Sequence, residues 1–187
     1  MELYSDIYYV QRIQEGDISC FACLIDRYSQ QVHTLIARVV TSREDAEELT
    51  QDVFMKVYRH LSSFQGKSSF STWLYRIAYN AAISEARKKK QEFLAIDETQ
   101  IENVSEEEIE SRLGHTDHSE QIALLEKALT QLSPDDRFII LLFYMESKSI
   151  EEVSAITGLT ESNVKTKLHR IRKRLYALLM KEKEKQL

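Results

Sequence analysis

Apolar residues recur along this chain at spacings of three and four and almost nowhere in strict alternation, the period of helices rather than strands. Only four Gly and one Pro interrupt the pattern, so helices are predicted throughout and the fold class is all-α. FACLIDRYSQQVHTLIARVV reads as one amphipathic helix. In TSREDAEELTQDVFMKVYRHL a stripe of Ala46, Leu49, Val53, Val57 and Leu61 is flanked by Glu44, Asp45, Glu47, Glu48 and Asp52. In FSTWLYRIAYNAAISEARKKK the core face falls to Phe70, Leu74, Ile77, Ala78 and Ala81.

The C-terminal third is punctuated by caps. Ser133 precedes Pro134, Asp135 and Asp136, a combination that opens a helix. Ser149 and Glu152 have the spacing of a capping box, with Val153 and Ile156 facing inward. Gly158 suits the left-handed residue that ends a helix, and Thr160 can cap the next. Together these predict a helix-turn-helix whose second helix buries Val164, Leu168, Ile171, Leu175 and Leu178.

Charge divides the chain. Between Gln91 and Glu120 ten Asp or Glu face the single Arg112, so a stretch of net −9 lies within a chain of net −5 and the remainder is net +4. Weak periodicity and few aromatics make this a flexible acidic linker rather than a folded element. The expected organisation is a helical domain over residues 1–90, the linker over 91–119 and a second helical domain over 120–187. Each domain ends or runs into a basic helix, EARKKK at 85–90 and KTKLHRIRKRL at 165–175. The N-terminus lacks a leader pattern and no apolar run reaches the ~18 residues of a membrane span, so a cytoplasmic chain without direct membrane insertion is expected.

The candidate chemistry is binding rather than catalysis. Trp73, Arg76, Asn80, Ser84 and Arg87 share one helical face. That mixture suits nucleic acid, because aromatics stack on exposed bases, amides read base edges, and cations such as Arg87 and Lys88 hold phosphates. On the second helix of the helix-turn-helix, Ser162, Asn163, Lys165, Thr166, His169 and Arg170 are placed for bases or the nearby backbone, and Arg172, Lys173 and Arg174 for phosphates. The acidic helix at 44–61 is either a solvated surface or a dock for a basic partner. Cys20 and Cys23 fall within a helix and read as structural thiols. A metal role would need His115 and His118 to converge on them.

These residues carry a family resemblance. DAEELTQDVFMKVYRHLSSF, then FSTWLYRIAYN, an acidic linker, LSPDDRFIILL and a helix-turn-helix ending VKTKLHRIRKRL together resemble the extracytoplasmic-function (ECF) group of bacterial RNA polymerase sigma factors. The resemblance covers nearly the whole chain in the family's order, with TWLYRIA-x-N its most specific piece. It implies a transcription initiation factor that binds core RNA polymerase and promoter DNA, needs no cofactor or metal, is not an enzyme, and is held by an anti-sigma factor. It assigns polymerase docking to Glu48, Gln51, Asp52 and Phe54, and recognition and opening of the minus-ten element to the loop and helix at 62–88. In that segment it implicates Phe64, Gly66, Lys67, Phe70, Trp73, Arg76 and Asn80, with a flipped base held by the loop. It assigns the minus-thirty-five element to residues 149–174. Asp52 stands where a Glu is common, and Ser162-Asn163 replace a frequent Gly-Thr, so the promoter sequence does not transfer.

Two other readings compete. A stand-alone helix-turn-helix repressor or activator would leave the Trp73 face idle and bind duplex tightly by itself. A metal enzyme built on Cys20, Cys23, His115 and His118 lacks a nucleophile–base pair or a phosphate-cradling glycine loop.

Overall fold

A computed structural model describes residues 4–40, 42–88 and 118–184. Eight α-helices, and no strands, are found among the described residues: α1 (Asp6–Gln14), α2 (Cys20–Ala37), α3 (Arg43–His60), α4 (Phe70–Lys88), α5 (His118–Thr130), α6 (Pro134–Tyr144), α7 (Ile150–Thr157) and α8 (Glu161–Glu184). A 3-10 turn, Leu61–Ser63, follows α3. The linker expected at 91–119 lies outside the described residues up to 117, and its last two positions fall in the first turn of α5.

The caps explain where the helices begin. Ser42 accepts from the Asp45 amide at the head of α3, where Glu44 and Asp45 also complement the helix dipole. Ser133 does the same for α6 through the Asp136 amide, with Pro134 in the first turn. The Ser149–Glu152 capping box opens α7, Gly158 closes it with φ of 76°, and Thr160 accepts from the Asn163 amide to open α8. Every cap expected from the sequence in this half of the chain is in place.

Helices α1 to α4 pack around Val32, Leu35, Ile36, Val53, Val57, Phe70 and Leu74, all essentially without solvent contact. Asp6 fastens α1 to α2 by accepting from the Arg27 guanidinium and, at 2.6 Å, from the Tyr28 hydroxyl. Burial, then that hydrogen bond, pushes the Tyr28 phenol well above its ordinary pKa. Helices α5 to α8 enclose a second set, Leu132, Phe138, Ile139, Leu142, Ile156, Val164 and Leu168. The two sets meet where α4 rests on α6 and α7 and where α2 touches α6.

Candidate nucleic-acid interface

Helix α4 uses three faces. At 100° per residue a single core stripe accounts for about a third of a helix, yet ten of the nineteen α4 residues are buried. One face, Phe70, Leu74, Ala78 and Ala81, fills the N-terminal core as expected, with Ile77 only half-buried at its edge. A second, Thr72, Tyr75 and Tyr79, is covered by α6 and α7. Arg76, Asn80, Ser84, Arg87 and Lys88 are exposed, and Trp73 is half-buried at their N-terminal end. The expected ring, amide and guanidinium set therefore does occupy one accessible face.

Trp73 is braced from behind. Its ring lies 5.2 Å from that of Phe64 and 6.1 Å from that of Phe70, and Phe64 meets Phe70 edge to face at 6.0 Å. Phe64 and Phe70 are only 8% and 1% exposed. As packed, they present almost no surface and act as the floor on which Trp73 sits. Gly66 (φ 69°) and Lys67 are exposed in the intervening loop, where the left-handed backbone reverses the chain with no Cβ to strain it. Ser69 starts α4 by accepting from the Thr72 amide at 3.1 Å.

The acidic surface of α3 adjoins this face. A groove of about 550 Å³ runs between the two helices, with Glu48 and Asp52 on one wall and Asn80, Ser84 and Lys88 on the other. Carboxylates repel phosphates, so the α3 wall suits a basic protein surface; on the α4 wall Glu85 is paired with Lys88 at 3.2 Å, and the row that suits a nucleic-acid strand is Arg76, Asn80 and Arg87. Glu48, Gln51 and Asp52 are exposed, but Phe54 is buried in the core at 7% exposure. Besides Tyr58, the large apolar residue that α3 presents is Met55, at 51% exposure, one position on from Phe54 and on the same face as Glu48, Gln51 and Asp52.

On α8, Ser162, Asn163, Lys165, Thr166, His169 and Arg170 are exposed, and Lys173 is half-buried. Thr166 donates back to the Ser162 carbonyl at 3.0 Å, leaving its oxygen lone pairs outward. Val164, Leu168, Ile171, Leu175 and Leu178 are buried as the periodicity predicts. Arg174 departs from expectation: it is half-buried and its guanidinium reaches the Gln131 carbonyl at 3.4 Å, toward its own module. Lys167, which the sequence did not single out, bonds Asp136 at 2.6 Å and pins α8 to α6.

The covered face of α4 forms a polar seam. The Tyr75 hydroxyl donates to Glu146, and the Tyr79 hydroxyl donates to Asp135 at 2.5 Å while its ring meets Phe138 edge to face at 5.3 Å. Thr72 donates to Glu152 at 3.1 Å, and Lys148 reaches both Ser71 at 2.7 Å and Glu152 at 2.9 Å. Burial, then the carboxylate hydrogen bonds, raises both phenols well above their ordinary value. Glu152 feels burial as an upward push, outweighed by the Ser149 amide and by Lys148, so its pKa is lowered on balance. Across the same junction Arg137, 6% exposed, donates to Thr130 and Leu132 of its own module and at 2.9 Å to the Arg38 carbonyl at the end of α2.

Cys20 and Cys23 are free, half-buried thiols of α2. Burial and the neighbouring Asp17 push the Cys20 thiol up, away from the reactive thiolate. Among the described residues no group of three His, Cys, Asp or Glu is arranged to hold a metal; His115 lies outside them. No helix among the described residues is long and apolar enough to cross a membrane.

Comparison with known proteins places these surfaces in context. Residues 24–92 match Sigma-70 region 2, and residues 122–175 match Sigma-70, region 4. The chain is 30% identical over 182 residues to the ECF RNA polymerase sigma factor SigW of Bacillus subtilis, spanning 89% of this chain and 92% of that protein. It is 33% identical over 180 residues to the ECF RNA polymerase sigma-E factor of Escherichia coli K12, spanning 91% and 92%. Among solved structures, the sigma factor RpoE bound to the anti-sigma factor NepR from Bartonella quintana superposes with a TM-score of 0.63 at 26% identity, over 86% of this chain and 96% of that one. CnrH, in complex with the cytosolic domain of CnrY, shares the fold with a TM-score of 0.69 at 22% identity, over 93% and 96%.

Proposed function

The chain belongs to the ECF RNA polymerase sigma factors, and from that premise we propose how its surfaces divide the work of initiation. It is an alternative sigma factor that binds core polymerase, recognises promoter DNA and assists strand opening. Residues 1–90 form the polymerase-docking and minus-ten domain, 91–119 the linker, and 120–187 the minus-thirty-five domain. The chain acts where polymerase is, in the cytoplasm, and without covalent chemistry of its own.

The observation that carries this reading is the accessible face of α4. Trp73 is braced by Phe64 and Phe70 yet still half-exposed, at the head of a row of Arg76, Asn80 and Arg87. A base removed from the duplex can stack on an aromatic for ~1–3 kcal/mol, comparable to the cost of unstacking it. Arg76 and Asn80 then read or hold the strand, with Lys67, Arg87 and Lys88 on its phosphates and Gly66 letting the backbone approach. Glu48, Gln51 and Asp52 dock on polymerase, and Met55 supplies the apolar anchor in place of the buried Phe54. On α8, Ser162, Asn163, Lys165, Thr166, His169 and Arg170 read the minus-thirty-five duplex, and Lys173 meets phosphate.

An anti-sigma partner fits the relatives and the surface. The RpoE relative is seen with an anti-sigma factor. In this chain an apolar groove of about 480 Å³ lies between α5, α6 and α8, with Leu125, Tyr144 and Met145 exposed along it. A groove of that kind takes the apolar face of a helix.

The test is transcription. Purified chain is added to bacterial core polymerase and a promoter library; specific transcripts that require the chain support the reading. Tight duplex binding by the chain alone, with no polymerase-dependent transcripts, would support the stand-alone regulator instead.

A further inference from the structure

The loop that leads into α4 is held at its entrance by a residue far away in sequence. Gln14, the last residue of α1, donates from Nε2 to the Leu61 carbonyl at 2.9 Å and to the Phe64 carbonyl at 3.3 Å. Both partners are carbonyl oxygens, so the side-chain nitrogen rather than its oxygen faces them, and one amide group supplies both hydrogens. The Leu61 carbonyl also accepts from the Phe64 amide at 3.1 Å, so the carboxamide seals the end of the 3-10 turn. Beyond this point the chain has no helical hydrogen bonding until Ser69 caps α4.

Phe64 joins the two sets of contacts. Its carbonyl is held by Gln14, and its ring packs against Phe70 and Trp73. We infer that Gln14 is a positioning residue for strand opening: it fixes the Leu61–Phe64 backbone so that Phe64 supports Trp73 and the following Gly66-Lys67 segment meets an unpaired base at a set place. This inference rests on the reading of that loop as the minus-ten site. Gln14 itself is solvent-exposed and contributes nothing to the apolar core, so its replacement leaves no cavity.

Chemistry orders three substitutions. Gln14→Ala deletes the donors. Gln14→Glu sets a carboxylate against two carbonyl oxygens and repels them. Gln14→Lys keeps N–H donors on a side chain long enough to reach, and is the conservative variant.

Trp73 is the only tryptophan, so its fluorescence reports the packing directly. In the free full-length chain, Gln14→Glu shifts Trp73 emission to the red and raises its quenching by acrylamide, Gln14→Ala does so less, and Gln14→Lys matches the parent, with helix content unchanged and thermal midpoints lowered by only a few degrees. With core polymerase, on promoters selected with the parent chain, Gln14→Ala and Gln14→Glu lower discrimination among minus-ten bases by about two- to tenfold, the range one hydrogen bond implies. Discrimination at the minus-thirty-five element stays as it was. Parent-like emission and discrimination in Gln14→Glu overturn the inference, as does a loss spread evenly over both promoter elements with a far lower thermal midpoint. Failure of the parent chain to initiate anywhere defeats the sigma reading itself, whereas the fluorescence series judges the Gln14 contact independently.

Discussion

The Tyr75 hydroxyl of α4 donates a hydrogen bond to Glu146, two residues past the end of α6 on the other module. The helix whose exposed face is proposed to hold a separated strand is thus fastened, by its neighbouring face, to the module that holds the helix-turn-helix. Minus-ten and minus-thirty-five elements lie about 25 base pairs apart, roughly 85 Å at about 3.4 Å per base. Surfaces on two modules packed together through α4, α6 and α7 do not span that distance, so on the proposed reading the seam parts when both elements are engaged.

A polar seam parts more readily than an apolar one, and its hydroxyls can be removed cleanly. Tyr75→Phe with Tyr79→Phe deletes two hydrogen bonds to charged acceptors, each worth about 1.5–3 kcal/mol. The expected outcome is a larger radius of gyration by small-angle scattering and faster engagement of core polymerase, with helix content unchanged. An unaltered scattering profile would show that the seam does not hold the closed form.

The seam also responds to pH in a defined direction. Glu152 has its pKa lowered from the ordinary 4.5, with burial opposing and the Ser149 amide and Lys148 prevailing. Its contribution is therefore present above that value and lost as pH falls through the lowered one. Tyr75 and Tyr79 are raised above the ordinary 10.0, so their contribution is complete below it and lost only as pH climbs through the raised values. Scattering across a pH series should show a compact chain at neutrality and opening only at the acid and alkaline extremes. In alkaline absorbance titration the double Phe variant should lose two of the three phenols whose ionisation is pushed up, with Tyr28 remaining.

Met55 and Phe54 separate docking from folding. Met55→Glu should weaken binding to core polymerase at least tenfold while leaving the thermal midpoint nearly unchanged, because the side chain is already half in solvent. Phe54→Ala should cost about 3–5 kcal/mol of stability by opening a core cavity. Equal binding by parent and Met55→Glu would remove Met55 from the interface.

Arg137 tests the junction with α2. It is buried, its pKa is lowered by that burial, and it satisfies three backbone carbonyls. Arg137→Ala strands those oxygens and should destabilise by about 3 kcal/mol in denaturant unfolding; Arg137→Lys, a point donor in place of a fork, should recover only part.

Much of this architecture was legible in the sequence because local rules and tertiary packing agree. Ser133, Ser149, Glu152, Gly158 and Thr160 each do what their residue type does at a helix end, and the Val164-to-Leu178 stripe is buried as its period requires. The accessible row from Arg76 to Arg87 was readable for the same reason. Periodicity failed where a helix has two partners. Tyr75 and Tyr79 look like polar-tipped residues beside a core stripe, and only the excess of apolar positions on α4 hinted at a second contact. Phe54 and Met55 are adjacent apolar residues, and motif position favoured the one that the core takes. The bond from Gln14 to Leu61 and Phe64 spans about fifty residues, and no local pattern signals it.

The central claim is that one chain carries a surface for separated strands on α4 and another for paired strands on α8. Its most direct test compares Trp73→Ala with Arg170→Ala in reconstituted initiation, scoring permanganate reactivity at the minus-ten element and duplex binding at the minus-thirty-five element in the same complexes. Trp73→Ala should lower reactivity while upstream binding persists, and Arg170→Ala should weaken upstream duplex recognition by about 1–3 kcal/mol in a sequence-dependent way. Parallel loss of both signals in both variants would contradict it.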